Sequence, residues 1–227
     1  MYRFYKSDKN ADAKMLLRDS QIPAHKIVIC SQSKTIEAML NGRFVESTTN
    51  EVPLQNEEPH LIERMIEFMY KGDYAHFKAK DEENKYATFI SLHVDMYTTA
   101  EYFQIEALAE LAKQKYSQAI AKTCIDHPGF FLESIAYIYH KTPDHLHDLR
   151  SIATSLAKEH RQVFARNAET RAHFESICLN TPDFFHEIMQ DWFTMKPRPS
   201  SLPSVKPSHH CRHTHTEVHR GIPAGFM

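Results

Sequence analysis

No C-x-x-C pair occurs in this chain of 227 residues, whose four cysteines, Cys30, Cys124, Cys178 and Cys211, stand far apart. That spacing argues against a zinc knuckle or a disulfide framework and suits reduced thiols serving as small core hydrophobes. No sign of charge prevails either. Lys and Arg total 27 against 29 for Asp and Glu, a net charge of −2, so no global field steers the chain onto nucleic acid or anionic lipid. Any partner has to be recognised locally. No apolar run approaches the ~20 residues of a membrane span, and the opening stretch MYRFYKSDKNADAKMLL lacks an apolar segment followed by a cleavage site. The expectation is a soluble protein of the cytoplasm or nucleus.

What is present is a core: 42% of the residues are apolar and 11% aromatic, enough for one large domain or two small ones. Residues 12–18, DAKMLLR, and 22–30, IPAHKIVIC, lie around a DSQ turn and predict two strands, with His25 in the second and Cys30 at its end. SQSKTIEAMLNGRF then carries a helix signature: Ser31 or Ser33 can cap, Ile36, Met39 and Leu40 share a face, and Asn41-Gly42 can close the end. STTNEVPLQ reads as a short exposed strand. In EEPHLIERMIEFMYKGDY, Pro59 fits the first helical turn, Leu61, Ile62, Met65, Ile66 and Met69 form a stripe, and Gly72 ends the helix. The mixed-charge run from Lys78 to Lys85 reads as a solvated loop.

Leu92 to Ile120 predicts two helices broken near Gln104, with Met96, Tyr97 and Ala100 on one and Leu108, Leu111, Ala112 and Tyr116 on the other. Beyond Lys122 come four more helical candidates. The second and fourth open with matching words, KTPD at Lys141 and NTPD at Asn180, in which Thr caps, Pro takes the first turn and Asp meets the helix dipole. Their apolar patterns differ: Leu146, Leu149, Ile152, Ala153 and Leu156 in one, Phe184, Ile188 and Trp192 in the other. Trp192 and Phe193 are expected to lock the last helix onto its neighbours. From Lys196 the chain is rich in Pro, Ser and His and reads as a disordered tail.

Two clusters invite chemistry. His25, Cys30 and Ser31 fall within seven positions, but a nucleophile needs a base within hydrogen-bond reach and an orienting partner for that base, which residue types alone do not supply. In the tail, His209, His210, Cys211, His213, His215 and His219 could bind a borderline metal, although their spacing matches no zinc module and an unframed tract chelates weakly. Lys196, Arg198, Lys206, Arg212 and Arg220 outweigh Glu217 there, but they are dispersed.

Read together, residues 8 to about 120 resemble a BTB/POZ domain, particularly the compact type numerous in filamentous fungi. The resemblance rests on Asp12 leading into AHKIVICSQS, on NGRFVES followed by an acidic-Pro segment, a helix and the Y-x-G-D-Y word YKGDY, taken as a strand, and on HVDMYTTAEYFQIEALAELAKQKY as a helix pair. It implies an α+β fold, a small sheet flanked by a helical cluster, over residues 1–122. An all-helical extension over 123–195 and the tail over 196–227 would follow.

The resemblance further implies a protein-binding module without catalytic residues, metal or cofactor, and with no small-molecule substrate. His25 and the basic Lys26 would have a structural or pocket-lining role, and His25, Cys30 and Ser31 would be core. Partners would be other proteins, either a cullin, with the chain as adaptor of a ubiquitin ligase, or the partners of a non-degradative scaffold. The expected contact residues are Asp12, Lys26, Phe44 and Glu46, since Phe44-Val45-Glu46 matches the apolar-x-Glu word of cullin-binding BTB domains. BTB dimers of metazoans exchange an N-terminal helix and strand. Only eleven residues precede Asp12, so a monomer or weak dimer is expected.

Overall fold

Alternating burial in two short segments builds a hairpin. β1 (Ala13–Leu16) pairs antiparallel with β2 (Gln21–Ala24), Met15 facing Ile22, while Ala13, Met15, Ile22 and Ala24 are buried. β3 (Glu51–Pro53) lies on the other side of β1, parallel to it, with buried Val52 opposite Met15. Both edge strands contain a proline, Pro23 and Pro53, which cannot donate to a further strand. This computed structural model describes residues 2–43, 45–75, 85–144 and 146–194.

Helices supply the remaining mass. A 3₁₀ turn (Tyr2–Phe4) precedes the sheet. Three short helices, α1 (Lys26–Ile29), α2 (Lys34–Asn41) and α3 (Val45–Thr49), run between β2 and β3. α4 (Pro59–Lys71) follows, then the pair α5 (Lys85–Tyr102) and α6 (Glu106–Asp126). The described part of the chain closes with α7 (Pro128–Lys141), α8 (His147–Glu159), α9 (Arg161–Phe164), α10 (Ala168–Asn180) and α11 (Pro182–Thr194). The start and stop signals of α2 and α4 act as their chemistry dictates. Ser33 Oγ accepts the Ile36 N–H at 3.1 Å, Pro59 occupies the first turn of α4, and Gly72 closes α4 in the left-handed region at φ 76°. Gln104, at φ 52°, makes the sharp corner between α5 and α6.

One apolar core runs from Ala13 on the sheet to Phe184 on α11. α6 continues unbroken through residue 122, and α7 packs on both α5 and α6. The distal helices are joined by aromatic rings. Phe131, Phe164 and Phe174 stack at 5.8 and 5.3 Å, and Phe184 and Tyr139 continue the series edge-on. Among the described residues no helix is long and apolar enough to cross a membrane.

Four local expectations are corrected. The second strand ends at Ala24, and His25 is the N-cap of α1, so Cys30 sits half-buried at a helix end and not at a buried strand end. Adjacent Val28 and Ile29 are both buried while Ile27 is 82% exposed, a helical pattern that a half-buried strand cannot produce. The expected exposed strand after Phe44 is a helix, α3, followed by a three-residue strand whose central Val52 is fully buried. Tyr74 is buried but belongs to no strand.

The word KTPD starts no helix. Thr142 closes α7, its Oγ1 donating to the Ile138 carbonyl at 2.7 Å and accepting from Arg150 Nε at 3.0 Å, so the hydroxyl is turned back onto α7 and to Arg150 instead of capping a new helix. α8 starts later, at His147. NTPD does open α11, with Pro182 first and Asp183 in the first turn. Phe44, the charged segment up to residue 84, the side chains of Trp192 and Phe193, and the tail from Lys196 with its histidines and Cys211 lie outside the described residues.

Candidate functional site

The hairpin and α1 meet at a polar joint. Asp12 Oδ1 accepts the backbone N–H of Lys26 at 2.7 Å, and the Asp12 N–H is given to the Ala24 carbonyl at 3.2 Å. The joint thus brings together two of the residues expected to contact partners, through a carboxylate and a main-chain amide. The Lys26 side chain remains half-exposed, and Ile27 next to it stands in solvent.

Behind this joint lies His25, buried and fully engaged. Its backbone N–H donates to Tyr70 Oη at 2.9 Å, its Nδ1 lies 2.8 Å from the same hydroxyl, and its Nε2 lies 2.9 Å from the Lys9 carbonyl. A carbonyl only accepts, so Nε2 carries the proton and the Tyr70 hydroxyl donates to Nδ1. Burial raises the Tyr70 phenol above its ordinary pKa, which keeps it a donor. Phe4 packs edge-on against the His25 ring at 5.2 Å.

The trio of His25, Cys30 and Ser31 is therefore not assembled. Both imidazole nitrogens are committed elsewhere, Ser31 Oγ donates to the Val28 carbonyl at 3.1 Å, and burial raises the Cys30 thiol pKa, away from thiolate. Burial likewise pushes Cys124 and Cys178 up to about 11.

A polar cleft of about 540 Å³ opens on the sheet, lined by Asp12, Lys14, Gln21 and Pro23 and, from the end of α3, by Thr49 and Asn50. Glu46 lies in the first turn of that same helix and has no ion-pair partner among the described residues. Its neighbour Val45 is 75% exposed. The site thus consists of an apolar side chain and a carboxylate on α3, near a cleft whose wall includes Asp12. Such a surface suits contact with another polypeptide.

Tyr70 stands outside the apolar stripe that the sequence of α4 shows, and nothing local marks its role. Only the fold reveals that it faces His25 from 45 positions away. The Asp95–Tyr137 contact was also missed. The Tyr137 hydroxyl donates to Asp95 Oδ1 at 2.6 Å between α7 and α5, and burial raises the pKa of that carboxyl.

The fold is thus a three-stranded sheet set against helices, with the polar joint and exposed α3 at its surface. Residues 1–120 match the model of the BTB/POZ domain, and the chain belongs to that family. It is similar to Kelch-like protein 7 of Gallus gallus, 36% identical over 59 residues, 26% of this chain and 10% of the relative. Kelch-like protein 30 of Mus musculus is 33% identical over 64 residues, 28% of this chain and 11% of the relative. BTB/POZ domain-containing protein 9 of Drosophila melanogaster is 27% identical over 73 residues, 32% of this chain and 10% of the relative. The chain thus aligns with only about a tenth of the length of these relatives.

Proposed function

We propose that this protein is a non-catalytic adaptor or scaffold that binds other proteins through its BTB/POZ part, and that α3 with the preceding Phe44 is its partner-facing element. In this reading the BTB/POZ part spans residues 1–122, ending within α6, and residues 123–195 form a helical extension that it carries. The observation that carries it is the pairing on α3 of Val45, 75% exposed, with Glu46, whose carboxylate has no ion-pair partner among the described residues. An apolar anchor supplies most of the energy of such a contact, and a neighbouring charge fixes its orientation.

The finer reading makes the partner a cullin and the chain an adaptor of a ubiquitin ligase, with Phe44 and Glu46 in direct contact. Asp12, in the wall of the sheet cleft, and the half-exposed Lys26 serve as a second contact. Affinity purification of the full chain followed by mass spectrometry tests this. Recovery of a cullin that is lost on Glu46→Lys supports the adaptor. Recovery of other proteins without a cullin supports a scaffold. Recovery of no protein above background contradicts both.

A further inference from the structure

Away from the sheet, the corner between α8 and α10 concentrates positive charge. From residue 158 to 171 the chain carries Lys158, Arg161, Arg166 and Arg171 against Glu159 and Glu169, on a molecule whose net charge is −2. We propose that this arginine corner docks an acidic segment of a partner polypeptide.

The corner is held firmly. α9 spans only Arg161–Phe164, yet Val163 and Phe164 are buried, and the Phe164 ring is clasped between Phe131 and Phe174. Asn167 Oδ1 caps α10, accepting the Thr170 N–H at 2.7 Å. Three exposed arginines project from this frame, and none of them is ion-paired to a carboxylate among the described residues. Two are oriented by main-chain carbonyls instead. Arg161 donates to the Lys158 carbonyl at 3.5 Å and Arg171 to the Ala165 carbonyl at 3.3 Å. A guanidinium has five N–H donors, so each keeps a pair of them for a carboxylate. Exposed Arg3, Arg18 and Arg43, by contrast, stand singly along the chain.

The arrangement favours carboxylates on a peptide over a nucleic-acid strand. Three exposed arginines within eleven residues, on α9, in the turn after it and in the first turn of α10, can engage a few acidic side chains. Glu159 and Glu169 flank them and repel an uninterrupted run of phosphates, and the net charge adds no long-range attraction. The surface lies outside the stretch matched to the BTB/POZ family, so the inference stands or falls independently of the cullin reading.

The test uses the full chain and a fluorescein-labelled decapeptide carrying three glutamates spaced by glycine and serine, followed by anisotropy. The wild type is expected to bind, more weakly as salt rises, and Arg161→Gln/Arg166→Gln/Arg171→Gln to bind at least about tenfold more weakly at an unchanged melting temperature. The matched variant Arg3→Gln/Arg18→Gln/Arg43→Gln is expected to bind as the wild type does. Absence of binding, equal losses in the two variants, or tighter binding of a single-stranded oligonucleotide lost in the first variant alone would each overturn the proposal.

Discussion

The carboxylate of Asp12 caps a helix that starts 14 residues later, accepting the Lys26 N–H at 2.7 Å. The N-cap residue itself, His25, gives no side-chain cap, because its ring is turned to Tyr70 and Lys9. The first residue before the hairpin therefore supplies the missing acceptor and fixes where β2 ends and α1 begins. Asp12→Ala should cost about 1 kcal/mol, as the loss of a capping acceptor does, and Asp12→Asn should recover part of it. Chemical denaturation of the three forms checks this. Equal stability of Asp12→Ala and the wild type would show that the contact contributes nothing.

Tyr70→Phe keeps the ring and its packing but leaves the His25 N–H and Nδ1 without their buried partner, so a loss of about 1–3 kcal/mol is expected. Cys30→Ala, at a half-buried position, should cost on the order of 1 kcal/mol or less. Melting curves in which Cys30→Ala is the more damaging change would contradict this ordering.

Asp95 predicts a pH dependence of known sign. Burial outweighs the hydrogen bond from Tyr137 and the charges of Lys141 and His60, and it raises the carboxyl pKa in the folded protein. The folded state therefore holds its proton to a higher pH than the unfolded chain does. The contribution of this group to stability falls as pH rises through that window. Asp95→Asn, which cannot ionise, should match the wild type in acid and become the more stable form near neutral pH. Melting temperatures of both forms at about pH 4 and pH 7 decide it, and a gap that closes as pH rises would refute the assignment.

Tyr116 tests the opposite situation. Its hydroxyl, on a fully buried side chain of α6, has no hydrogen-bond partner among the described residues, and burial raises its pKa well above the usual phenol value. Tyr116→Phe removes an unpaired polar atom and keeps the ring. The variant should be as stable as the wild type or more so, by up to about 1 kcal/mol. A clear loss in calorimetry would reveal a bond made by that hydroxyl.

How far the sequence carries depends on where the deciding interaction lies. α2, α4 and the α5–α6 corner were legible because Ser33, Pro59, Gly72 and Gln104 act within a turn of their own position. α1 was misread as strand because its cap, Asp12, comes from a different segment and its residues Ile27, Val28 and Ile29 are β-branched. α3 has a similar bias in Val45, Thr48 and Thr49. Its end is nonetheless marked locally by Asn50, in the left-handed region at φ 60°, whose N–H is given to the Glu46 carbonyl at 2.8 Å. Asp12, Lys26 and Glu46 were named from the resemblance, but the partners of His25 and Asp95 were not, since Tyr70 and Tyr137 are 45 and 42 positions away. The arginine corner needed no fold to be seen, only attention to three arginines within eleven residues.

The central claim in its finer form is that α3 and the residue before it contact a cullin, and a titration of purified cullin against the full chain tests it most directly. The account predicts saturable binding at or below tens of micromolar, lost in Phe44→Ala and weakened in Glu46→Lys, with both variants melting as the wild type does. Binding indifferent to both substitutions, or none at tens of micromolar, would contradict it.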